Sequence, residues 1–181
     1  MADYEIIEEG VLAAASNSID FTSIPTDFQH LEIGMKGRGG GVGTTAQEFY
    51  GFINNDQTAE YGENKFYYLQ SGSPTYAQSF TGASTGFELG RTAAYYSQAG
   101  QFSGTKMWFP NYQLRSTMQP NFIYQSSCAT GSGTNGGHVV VGAGSWTGTT
   151  AINQITLFYW ALGGGSEFQI GTSYYLAGLK G

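Results

Sequence analysis

Alternation with a period of two is the feature that most constrains this chain. Successive side chains of a strand point to opposite faces, so apolar residues at every second position mark a half-buried strand. Ile19 and Phe21 alternate with Asp20 and Thr22, and Leu31, Ile33 and Met35 alternate with Glu32 and Gly34. Met107 and Phe109 keep the rule up to Pro110, which has no N–H to give to a central ladder. Ile155 and Leu157 flank Thr156, Phe168 and Ile170 flank Gln169, and Tyr174 and Leu176 close the series. No interior segment carries a 3.6-residue apolar stripe. Four further runs, 49–53, 66–69, 122–124 and 139–141, are apolar on both faces. They read as interior strands of a sandwich or as strands covered by a neighbouring subunit.

Turn residues separate these runs. Pro25 fixes φ in the segment 23–27, where Asp27 is placed to bond local backbone. Residues 37–43 and 131–137 are glycine-rich, Asn54-Asn55-Asp56 is a polar turn, and Gly163-Gly164-Gly165 breaks the chain before its last strands. Strand-sized runs thus recur about every 8–12 residues, the spacing of a sandwich or barrel. About eight to ten candidate strands result, enough for two stacked antiparallel sheets. The expectation is one all-β antiparallel sandwich domain spanning residues 1–181, with residues 1–17 as an N-terminal arm or edge strand. Residues 71–104, rich in Ser, Gly, Thr and Gln, read as a long surface excursion holding one or two ordinary strands. The alternative there is a contact element ordered by a neighbour.

Composition narrows the function classes. Charged residues make up only 11% of the chain, against about 25% on average, which fits either a membrane protein or a surface covered by partners. No apolar run approaches the roughly 18–20 residues of a membrane helix, so membrane insertion is not expected. The first ten residues are acidic and lack a basic segment followed by an apolar one, so no secretory signal is expected either. A net charge of −6 with seven Lys and Arg leaves little to neutralise phosphates, and no nucleic-acid partner is expected. Cys128 stands alone, which excludes an internal disulfide and a thiolate metal cluster and fits assembly in a reducing cytoplasm.

Residues capable of catalysis are sparse. His30 and His138 each precede a strand, without the further ligands a metal would need. Nothing near Cys128 marks a base that would activate it. The glycine-rich stretch 142–146 has neither a following helix nor a suitably placed Lys to hold a phosphate. Asp56, Glu60 and Glu63, with Asn54, Asn55 and Asn64, are oxygen donors that a calcium ion would accept, but not at EF-hand spacing. No pair of carboxylates is singled out for glycoside hydrolysis. The chain is therefore expected to be no enzyme, with no cofactor and no metal. Aromatic pairs are the stronger signal. Tyr67 and Tyr68, Tyr95 and Tyr96, and Tyr159 and Trp160 are adjacent, as are Tyr174 and Tyr175, and in a strand one ring of each pair must lie outside the core. The first six are the candidate interface residues, since Tyr and Trp suit subunit contacts and sugar stacking.

The order of local motifs resembles a family of tailed-bacteriophage virion proteins. The resemblance begins at Tyr4-Glu5-Ile6-Ile7, runs through 18–25 to His30-Leu31-Glu32-Ile33, and resumes at Phe52-Ile53-Asn54-Asn55-Asp56. Phe109-Pro110-Asn111-Tyr112 matches a recurring strand end, and Gly144-Ser145-Trp146 leads into 151–157 as in that family. The closing strand follows at 171–179, departing at Tyr175-Leu176-Ala177-Gly178 where Leu-Tyr-Gly is commoner. The resemblance implies a jelly-roll-like sandwich and a non-enzymatic structural role on a virion assembled in the host cytoplasm. A capsid decoration (cement) protein on the head surface is the leading expectation, as a homotrimer contacting itself and the major capsid protein. The alternative is a receptor- or glycan-binding module of a tail fibre or baseplate, contacting tail proteins or host surface glycan.

Overall fold

The alternating segments form the strands of two antiparallel sheets in the computed structural model, which describes residues 3–41, 46–58, 61–69, 76–84, 86–94, 96–113, 119–129, 137–159 and 167–180. Among the described residues there are twelve strands and no helix. In chain order they are β1 (Asp3–Val11), β2 (Ser18–Thr22), β3 (His30–Gly37), β4 (Ala46–Ile53), β5 (Tyr61–Leu69) and β6 (Tyr76–Ser84). They continue as β7 (Phe87–Ala93), β8 (Ser103–Phe109), β9 (Asn121–Ala129), β10 (Gly137–Trp146), β11 (Gln154–Tyr159) and β12 (Ser173–Lys180). The large sheet has the order β1-β12-β3-β8-β9-β10-β5-β6, and the small one β2-β11-β4-β7.

Between β2 and β11 the chain passes from sheet to sheet in the order of an eight-stranded jelly roll. β2, β4, β7 and β11 build the small sheet, while β3, β5 and β6 lie in the large one. The remaining place, between β3 and β5, is filled by the three-stranded meander β8-β9-β10. An odd number of strands fits there because β8 must run antiparallel to β3 and β10 antiparallel to β5. β12 and β1 then widen the large sheet beyond β3.

The apolar faces of both sheets meet in one core that includes Phe21, Phe49, Phe87, Phe109, Phe122 and Leu176. Gly90 on β7 faces Ser126 and Val140 of the large sheet. Its φ of +102° lies in the left-handed range, and a Cβ there would collide with the Ser126 side chain on β9. Glycine is required on both counts.

Two places differ from the sequence reading. Phe168-Gln169-Ile170 is no strand: Phe168 is fully buried but holds only isolated bridges to Ser16 and Gly39, and the turn at Gly171 ends the segment. Residues 71–104 hold β6 and β7, within the one or two strands expected, but β7 is a core strand rather than a surface one, with Phe87 and Leu89 buried. The N-terminal stretch supplies β1, an edge strand that pairs antiparallel with β12 of the same chain through a register shift between Ile6 and Glu8. Glu5, Glu8 and Glu9 on β1 discourage further strands from adding to that edge.

Candidate functional site

Among the described residues, the outward face of the large sheet gathers exposed apolar side chains into one surface. Alternation sends Tyr67, Tyr124 and Val140 into the core and their neighbours Phe66, Tyr68, Ile123, Val139 and Val141 outward, each 44–54% exposed. Register brings these outward residues together. Tyr68 stands opposite Val139, Phe66 opposite Val141, and Ile123 opposite both Ala143 and Trp108. Together they expose on the order of 500 Å² of largely apolar surface, comparable with the largest patch on a typical monomer, which is often functional.

Beside this stripe the face is hollow. A groove of about 1010 Å³ extends from Val139 and Val141 to Glu9 and Val11, over a floor that includes Gly34 and Gly104. The Tyr175 ring lies across Gly34 and leaves no room there for a Cβ. Its hydroxyl donates to Glu32 Oε1 at 2.8 Å, and Lys106 Nζ reaches Glu32 Oε2 at 2.9 Å. Tyr4 adds a longer bond to Glu32 Oε1 at 3.3 Å. Burial, then the neighbouring Glu32 carboxylate, pushes the Tyr175 hydroxyl above its ordinary pKa, so it remains a donor. The groove thus offers a flat ring, two lysines and the hydroxyls and amide of Ser127, Ser173 and Gln125.

A second cluster of functional groups is sealed between the sheets. Lys65 Nζ and the Tyr67 hydroxyl both donate to Glu88, and the Tyr124 hydroxyl donates to Glu63. Glu63 Oε2 also accepts the Glu88 backbone N–H at 3.2 Å. All four carboxylate oxygens therefore have a donor. Burial raises the Glu63 pKa against the opposing pull of Lys65 and Tyr124. Burial and the adjacent carboxylates likewise push Tyr67 and Tyr124 upward. The cluster ties β5, β7 and β9 together, and the Glu63 carboxylate caps an N–H on the free edge of the small sheet. It does structural work.

The aromatic pairs divide as strand alternation requires. Tyr67 is buried and Tyr68 exposed; Tyr174 packs on the core and Tyr175 lies on the outer face. Tyr159 is buried, with its hydroxyl 2.6 Å from that of Thr92. Tyr96 is exposed away from the strands, while Tyr95 and Trp160 lie outside the described residues. Of the four candidate interface residues that are described, only Tyr68 falls on the stripe. The sequence reading missed Phe66, Ile123, Val139 and Val141 as a surface, although their runs were legible as apolar on both faces. Only the strand order makes neighbours of β5, β10 and β9.

The oxygen donors considered for calcium are not brought together. Glu63 points into the core and Asn64 out to solvent, because adjacent strand residues face opposite ways; Glu60 lies outside the described residues. Asp56 instead accepts the Trp146 indole N–H at 2.8 Å and the Thr58 hydroxyl and amide. Burial works against its charge, but the bonds from Thr58 and Trp146 outweigh it and hold the carboxyl below its usual range. Among the described residues no three His, Cys, Asp or Glu side chains gather in a way that would hold a metal ion. Cys128 is buried and its thiol pKa raised by that burial, and burial together with Arg91 lowers that of His138.

The chain is thus a jelly-roll sandwich with one half-apolar, grooved outer sheet. No family model and no curated protein matches it. Among solved structures, a legume lectin-like domain from Entamoeba histolytica is 8% identical, covering 90% of each chain, with a TM-score of 0.15. The flagellar cap protein from Escherichia coli is 10% identical, covering 97% of this chain and 56% of that one, with a TM-score of 0.20. A botulinum neurotoxin serotype D/C binding domain is 6% identical, covering 97% of this chain and 43% of that one, with a TM-score of 0.16. At these TM-scores none carries an argument about fold or function.

Proposed function

We propose that this protein is a non-enzymatic structural component of a tailed-phage particle, a decoration protein that stabilises the head by packing on the major capsid protein and on further copies of itself. The observation that carries the packing role is the exposed stripe of Phe66, Tyr68, Ile123, Val139 and Val141 on the large sheet. The virion setting rests on the sequence resemblance. Such a protein acts by mass action: whatever binds only the assembled shell shifts the equilibrium away from rupture. Purified protein is expected to bind expanded heads that lack it and to raise their rupture temperature. Heads that neither bind it nor gain heat resistance would overturn the reading.

A second reading, a glycan-binding module of a tail fibre or baseplate, is favoured by the groove. A flat Tyr175 ring flanked by Lys106, Gln125 and Ser127 is a combination that suits a sugar face and its hydroxyls. Labelled protein would then bind host cells, and soluble surface polysaccharide would compete it away. Binding that is absent, or indifferent to the polysaccharide, removes this alternative.

A further inference from the structure

The outer face of the large sheet has a relief that fits a copy of itself. On β5, Phe66 and Tyr68 form a ridge, each standing opposite a valine of β10. Past β10 and β9, over β8 and β3, the floor drops. Gly104 carries no side chain, and a Cβ built there would find nothing nearer than Ser127 Oγ at 3.9 Å. At Gly34 the nearest cover is the flat ring of Tyr175.

Ridge and trough occupy the same two registers. Phe66 lies in the row of Val141, Gln125, Lys106 and Gly34, and Tyr68 in the row of Val139, Ser127 and Gly104. Three to four strand spacings separate them, about 17 Å.

We propose that two copies of this chain stack these faces about a two-fold axis running along the strands near β9, so that the ridge of each copy fills the trough of the other. Rotation about such an axis keeps position along a strand and reverses the order of strands across the sheet. Phe66 of one copy therefore meets the Gly34–Lys106 register of the other, and Tyr68 meets the Gly104 register. The contact is isologous and closes at two subunits, unlike a heterologous head-to-tail contact, which builds a ring such as a trimer.

Size supports this occupant. An apolar stripe of about 500 Å² that forms some 60% of an interface implies about 800 Å² per partner, the standard size of a specific complex. Charge supports it as well. The chain carries −6 overall, yet the ridge holds no ionised side chain, and the trough presents Lys36 and Lys106 on its floor, with Glu9 at its far side and the Glu32 carboxylate already paired with Lys106. Stacking sets aromatic faces near ammonium groups rather than carboxylate against carboxylate. It also covers the runs 66–69, 122–124 and 139–141 on their second apolar face. The pairing stands whether or not the protein sits on a virion.

Sedimentation equilibrium of the intact chain over a wide concentration range tests it. A monomer–dimer equilibrium is expected, and Tyr68→Glu on the ridge or Gly104→Glu in the trough should each weaken it about tenfold or more. Both positions are exposed, so unchanged circular dichroism is the expected control. A positive readout does not depend on those variants. Gln125→Cys, beside the axis, should be cross-linked to its own copy by a short bis-maleimide, which spans the roughly 10 Å between stacked sheets, whereas Thr22→Cys on the small sheet should not. The sole native cysteine, Cys128, is buried. A chain monomeric at every concentration, a three-fold assembly, or a dimer that survives both glutamates with no Gln125→Cys cross-link would overturn the proposal.

Discussion

At Glu63, burial competes with three donors. Burial favours the neutral acid, whereas the Lys65 ammonium, the Tyr124 hydroxyl and the Glu88 N–H favour the carboxylate; burial prevails and the pKa rises. A carboxyl raised in this way binds its proton more tightly folded than unfolded. Its contribution to stability is complete below the unfolded value, about 4.3, and is lost as pH rises through the folded one. Glu63→Gln keeps a neutral side chain in the same place at every pH. The stability advantage of this variant over wild type is therefore expected to grow from acid toward neutrality, by at most about 1.4 kcal/mol per pH unit within that window. Urea midpoints of both proteins across pH measure it. An advantage that is flat, or that shrinks as pH rises, would contradict the assignment.

At the scale of elements, the β4–β5 turn shows how a few polar side chains pin neighbouring strands. Asn54 and Asn55 both have positive φ, 53° and 55°. The Asn54 amide donates to the Ala151 carbonyl at 2.5 Å, and its oxygen accepts the Asn153 N–H at 2.9 Å. Asn54→Ala loses both these bonds and the tolerance for left-handed backbone, and is expected to cost about 1–3 kcal/mol. Asn54→Gly restores the backbone alone, so it should recover only part of that loss, and the Asn153 amide should exchange faster in both. Thermal melts and hydrogen exchange distinguish these outcomes. At Gly90, left-handed φ and the Ser126 contact act together, and Gly90→Ala is expected to cost about 2 kcal/mol or more, read as a lowered melting temperature.

These elements were legible in unequal measure. Clean alternation at Ile19–Phe21 and Leu31–Met35 located β2 and β3, because one face of each is uniformly apolar; on β3 the other face, at Glu32 and Gly34, is buried as well. β1 was legible only as an arm or edge strand, because a strand with most of its side chains exposed has no apolar period to fix its bounds. β7 escaped because Glu88 and Arg91 interrupt its apolar run, and the interior partners that donate to Glu88 come from β5, a strand in the other sheet. The same holds for the surface site. The doubly apolar runs predicted a covered face, but their union into a single stripe depends on strand order, which no local pattern encodes.

For the whole molecule, self-pairing would couple stability to concentration. If only the folded chain dimerises, association at a hundred times the dissociation constant adds about 2.7 kcal/mol by mass action. For a domain of this length, about 1 kcal/mol moves the melting temperature by roughly 2–4 °C. Wild-type protein should therefore melt several degrees higher when concentrated than when dilute, provided the dissociation constant falls within that range. Tyr68→Glu touches an exposed residue and none of the core, so its dilute melting temperature should match that of dilute wild type and stay constant on concentration. Differential scanning calorimetry at several concentrations separates this from an intramolecular role of Tyr68. A ridge that served only its own sheet would lower the variant's melting temperature equally at every concentration, whereas an intersubunit ridge makes the two curves converge on dilution.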